Sequence, residues 1–131
     1  MPSTRTPAAG LADGERRRDA ALELLADRRA AVVRAGQRAL LLHLFDAGTA
    51  TADDVRAAVE LPQGIGPRCY GAVPMALVDA GIIRAAGYTP TRRPEGHARP
   101  ITLWELADRG AALAWLADHA ELPAVEQPTL Y

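Results

Sequence analysis

The sequence predicts an α+β domain that is mostly helical, and three observations predict it. Long stretches rich in Ala, Leu, Arg and Glu are separated by Gly/Pro breaks, which is helix composition with punctuation. Two short apolar runs, Ile82–Tyr88 and Ile101–Leu106, flank a single arginine- and proline-rich stretch and read as paired strands. One cysteine among 131 residues leaves the core to apolar packing, because no internal disulfide can form.

Taken in order, residues 1–12 hold Pro2, Pro7 and Gly10 among small polar residues and are expected to be disordered. Helix formers run from Glu15 to about Arg34, and residues 13–35 form an N-terminal helical arm that Gly36 is expected to end or bend. Arg16, Arg17, Arg18, Arg28 and Arg29 interleave with acids there. The arm reads as a solvated helix padding the domain or as a partly buried homodimer contact. A second helical segment spans Gln37–Phe45, with Leu40/Leu44 and Leu41/Phe45 spaced to meet on one face, and Gly48 suits a helix end.

Thr51-Ala-Asp-Asp54 then opens another helix. Thr51 can accept from the first amides while Asp54 reaches back, and acids here suit the helix dipole. Two Pro and two Gly within Leu61–Pro67 make a turn, after which a helix is expected over Arg68–Ala80, kinked or restarted at Pro74. The strand Ile82–Tyr88, a loop over 89–100 and the returning strand Ile101–Leu106 follow. Ala107–Ala120 closes the domain, and residues 121–131 are expected to form a flexible tail.

Charge is unevenly spread. The formal net charge is −1, yet residues 81–100 carry four arginines against one acid. There is no lysine, so every fixed side-chain positive charge is an arginine; the absence of asparagine as well suggests a G+C-rich genome. The opening segment Met1–Gly10 lacks an apolar core, and no apolar run approaches a membrane span, so a cytoplasmic protein is expected.

The stretches Thr-Ala-Asp-Asp-Val-Arg (51–56), Cys-Tyr-Gly-Ala-Val (69–73) with Ala-Gly-Ile-Ile (80–83), and Gly-Tyr-Thr-Pro-Thr-Arg-Arg-Pro-Glu-Gly-His-Ala-Arg-Pro-Ile-Thr-Leu-Trp (87–104) carry a resemblance. In this order they look like the winged helix-turn-helix domain of small DNA-binding proteins of bacteriophages and prophages. The resemblance implies a three-helix core with a β-hairpin wing over residues 36–120, Arg68–Ala80 as recognition helix, and the arginine-rich loop as wing. Double-stranded DNA is the implied partner. The candidate contacts are Arg68, Tyr70, Arg84, Arg92, Arg93, His97 and Arg99, weighed against ordinary surface roles. Arginine suits them because its planar fork grips a phosphate with two donors.

The outward positions of the third helix, Arg68, Gly71 or Ala72, Met75 and Asp79, offer little base readout, which leaves the wing to lead. The competing class is a winged-helix module that docks protein partners. Catalysis is not expected. Cys69 has no evident base, Ser3 is the sole serine, and Gly64-Ile-Gly66 lacks the rest of a phosphate loop. His43, His97 and His119 share no metal-ligand spacing, so neither metal nor cofactor is expected. Trp104 and Trp115 are assigned to packing, and Asp53 and Asp54 to a helix cap.

Overall fold

The computed structural model describes the backbone of residues 2–120 and the side chains of residues 13–120. The fold is α+β and mostly helical. Helix α1 spans Pro2–Ala47, followed by β1 (Thr49–Ala50), α2 (Ala52–Ala58), a 3₁₀ turn (Pro67–Gly71), α3 (Ala72–Asp79), β2 (Ile83–Pro90), a second 3₁₀ turn (Pro94–Gly96), β3 (Pro100–Leu106) and α4 (Arg109–Asp118). The strands form one antiparallel sheet in the order β1-β3-β2. Among the described residues no helix is long and apolar enough to cross a membrane. Residues 2–12, expected to be disordered, lie within α1, and the expectation for the tail over 121–131 lies outside the described residues.

Gly36 does not end the helix, and α1 continues through it. The reason is tertiary. A Cβ on Gly36 would stand 2.6 Å from Val73 Cγ2 and 3.3 Å from Val55 Cγ1. Glycine is there so that α1 can approach α2 and α3 closely, and the packing gained offsets a local propensity cost of about 1 kcal/mol. Gly48 does end α1, with φ +85° and its amide donating to Leu44 O at 2.9 Å.

Only the C-terminal third of α1 enters the core. Leu40, Leu41 and Leu44 are buried with Val55 of α2, Leu77 of α3 and Ile83 of β2. Earlier in the helix, Leu22 and Leu24 are exposed, as are their described neighbours apart from the half-buried Leu25. Among the described residues the arm is therefore buried only near its C-terminal end, at Val32. Arg38, where α1 joins the core, donates to Leu116 O at 3.4 Å and His119 O at 3.1 Å, satisfying carbonyls at the end of α4.

The third helix differs from the expected continuous Arg68–Ala80. Its first turn is 3₁₀, and the α-helix begins at Ala72. Pro74 is then the third residue of α3, where its missing N–H has no intrahelical acceptor to lose. The α-helix starts two residues before it. The hairpin matches the expected strands closely, with Arg84 opposite Glu105 and Pro90 opposite Pro100. An irregularity between Ala85 and Gly87 marks a bulge. The two-residue β1, opposite Glu105 and Trp104, was not anticipated.

Candidate functional site

The loop between β2 and β3 is closed by its own backbone. Thr91 N donates to Arg99 O at 2.8 Å, Gly96 N to Arg93 O at 3.0 Å, and Arg99 N to Gly96 O at 3.0 Å. Gly96 is buried against Thr91, whose Cγ2 would lie 2.4 Å from an added Cβ. His97 and Ala98 follow with φ of +50° and +59°. Two successive non-glycine residues in the left-handed region cost about 1–2 kcal/mol each, so the surrounding contacts impose this shape.

Those contacts come from α2. Thr51 and Asp54 form the expected capping box, with Thr51 N donating to Asp54 Oδ2 at 2.8 Å and Thr51 Oγ1 accepting from Asp53 N at 3.2 Å. The Asp53 side chain takes no part in that cap. It is buried, at 6% exposure, and turns to the loop. Oδ2 accepts from the Arg92 amide at 2.7 Å and Oδ1 from Arg93 Nε at 3.1 Å, while the Thr91 hydroxyl lies 2.9 and 3.0 Å from the two oxygens. Burial pushes the Asp53 carboxyl up. The Arg92 amide, the Thr91 hydroxyl and the Arg93 guanidinium outweigh it and hold the group below its ordinary value. Assigning both Asp53 and Asp54 to a cap is therefore right for Asp54 and incomplete for Asp53.

The same contacts redistribute the charge expected on this loop. Arg93 bonds Asp53 and lies 3.6 Å from Glu95. Arg92 Nη2 meets Asp54 Oδ1 at 2.8 Å, and Arg84 Nε meets Glu105 Oε1 at 2.8 Å across the strands. Among the described residues Arg99 and His97 make no ion pair, and both are exposed. The Arg92 side chain is 74% exposed, so its pair with Asp54 is worth no more than about 1 kcal/mol and leaves donors facing solvent.

Arg68 is exposed in the turn before α3, with Met75 and Asp79 exposed further along. Tyr70 requires a correction. Sequence reasoning put it among the contacts, but it is 9% exposed, its hydroxyl donates to Val59 O at 2.6 Å, and Arg56 lies over its ring at 4.7 Å. It is a core residue. It stands three residues before buried Val73 and seven before buried Leu77, the spacing that puts all three on one helix face.

The other candidates have local explanations. His43 Nε2 lies 3.6 Å from Asp54 Oδ2, His119 stacks on Trp115 with ring centroids 4.2 Å apart, and Trp104 is half-buried against the core. Among the described residues no group of three or more His, Cys, Asp or Glu side chains is placed to hold a metal ion.

Asp53 is what sequence reasoning missed. A capping box needs only its first and fourth residues, so the spare acid at Asp53 was the available signal. Its partners, 38 to 40 residues away, were not legible. Comparison with known proteins found no matching family, no matching curated protein and no matching solved structure.

Proposed function

We propose that this chain is a cytoplasmic, non-catalytic winged-helix protein that binds double-stranded DNA, as a regulator or accessory factor of phage or mobile-element type. The element order and the β1-β3-β2 sheet suit that architecture, with α3 as recognition helix and the β2–β3 loop as wing. The observation that carries the reading is the wing itself. Asp53 holds it in one shape, and it presents Arg99, His97 and the outer donors of Arg92 to solvent. A wing held before binding loses less conformational freedom on contact.

Binding would be led by phosphate contacts. Arg99, Arg92, Arg68 and Arg84 are the available cations, while Arg93 acts from within the wing. Asp79 on the exposed face of α3 disfavours deep insertion between phosphates, so weak sequence preference is expected. Exposed Leu22 and Leu24 on α1 support pairing of two copies through the arm.

One observation favours a docking module instead. Arg84, Arg92 and Arg93 are each already paired with an acid, which removes much of the field that attracts DNA. The two readings separate in a titration of a fluorescent random-sequence duplex, followed by anisotropy at two salt concentrations. Binding that weakens as salt rises supports the DNA reading. Absence of binding at low salt transfers the assignment to docking.

A further inference from the structure

Behind the wing, a cleft of about 330 Å³ lies between the end of α1, β1, the start of α2 and the base of the β2–β3 loop. Its polar lining includes His43, Thr49, Asp53, Asp54, Thr89 and Arg92. His43 has no part in the duplex contacts proposed above.

Three elements meet at Asp54. Its Oδ2 accepts from the Thr51 amide at 2.8 Å, which closes the cap of α2, and lies 3.6 Å from His43 Nε2 of α1. Its Oδ1 accepts from Arg92 Nη2 at 2.8 Å. These neighbours differ in freedom. The Thr51 amide is fixed by the backbone, and His43 is a short side chain on a helix. Arg92 is 74% exposed at the end of a long flexible chain, so it is the partner that can leave. Asp53 does not replace Asp54, because its oxygens are engaged by the Thr91 hydroxyl, the Arg92 amide and Arg93. The other charged group near His43 on α1 is exposed Asp46, one turn away, while β1 and β3 bring only the uncharged Thr49 and Leu103.

A histidine gains its charge between about pH 8 and pH 5. On His43 that charge attracts Asp54 at short range and repels the guanidinium held by the same carboxylate. We propose that His43 is a positioning residue for the wing: its protonation loosens Arg92 from Asp54 and turns that guanidinium to an incoming anion. On the DNA reading, on which this last step rests, the anion is a backbone phosphate, and the duplex is held tighter at lower pH. One added positive charge on the order of 6 Å from a phosphate in water changes affinity roughly threefold.

The test compares the native chain with His43→Gln, which keeps a neutral donor beside Asp54, at about pH 6 and about pH 7.5. His97 and His119 are present in both proteins, so the difference isolates His43. In duplex anisotropy at one salt concentration, acidification should tighten the native chain about threefold more than the variant. The second readout is the Arg92 Nε–H signal of the ¹⁵N-labelled chain without DNA. Its heteronuclear NOE should fall at the lower pH in the native chain and stay constant in His43→Gln. Equal affinity ratios in the two proteins overturn the phosphate step. Arg92 held equally at both pH values overturns the switch, whether or not the chain binds duplex. Loosening of Arg92 in a chain that binds no duplex supports the switch and removes only DNA as its anion.

Discussion

Removing the Asp53 carboxylate should detach the β2–β3 loop from α2, and the size of the effect follows from its contacts. Asp53→Ala takes the acceptor from a backbone amide (Arg92), a buried hydroxyl (Thr91) and a half-buried guanidinium (Arg93) at once. Neutral hydrogen bonds contribute about 1 kcal/mol each and charged ones about 1.5–3, so a loss of about 3–5 kcal/mol is expected, as for other broken buried pairs. Asp53→Asn is the sharper variant. Either orientation of the amide turns an NH₂ toward an N–H donor, Arg93 Nε or the Arg92 amide, and about half the loss should remain, roughly 1.5–3 kcal/mol. Urea denaturation gives the global figure. Hydrogen exchange at the Arg92 amide shows whether the loop opens before the domain does.

A cap-only role predicts something else. A charge in the first turn of α2 acts through the helix dipole alone, worth about 0.3–1 kcal/mol. Losses below about 1 kcal/mol in both variants, with Arg92 exchange unchanged, would refute the latch. The pH dependence has a fixed sign. The folded-state pKa of Asp53 is lowered, so its contribution is complete above the unfolded value of about 4 and is lost as pH falls through the lower folded value. Asp53→Asn should flatten the acid limb of the stability curve.

Gly36→Ala should destabilise the chain by about 1–3 kcal/mol, although alanine is the better helix former, because the new methyl meets stiff, buried Val73. Adding Val73→Ala should return part of that loss in thermal unfolding, relative to the sum of the single variants. Gly96→Ala should displace Thr91 from Asp53 and speed Arg92 amide exchange, seen by NMR. Tyr70→Phe should cost about 1 kcal/mol by losing the bond to Val59 O and leave the salt dependence of duplex binding unchanged, which separates a core role from a contact role.

What was legible in the sequence was what local rules govern. The Thr51/Asp54 spacing, the Gly48 stop, the two long strands and the closing helix each depend on residues within a few positions of one another. What was not legible depends on distant partners. Gly36 has the local signature of a helix stop, yet its role is set by Val73 and Val55. Asp53 fits a cap, yet its partners are Thr91, Arg92 and Arg93. The arginine run at Arg92 and Arg93 suggested free positive charge, and the acids that neutralise it lie at positions 53 and 54. Strand β1 carries no pattern because two residues are too few for alternation.

Duplex binding of the native chain and Arg99→Ala, measured by anisotropy across a series of salt concentrations, tests the DNA reading most directly. Each phosphate contact contributes about 0.9 to the slope of log affinity against log salt. With two to four arginines engaged, the native slope should be roughly −2 to −4, and Arg99→Ala should reduce its magnitude by about 0.9 while the fold is unchanged. A native chain that does not bind at low salt, or an Arg99→Ala slope equal to the native one, would contradict a wing that reaches DNA through Arg99.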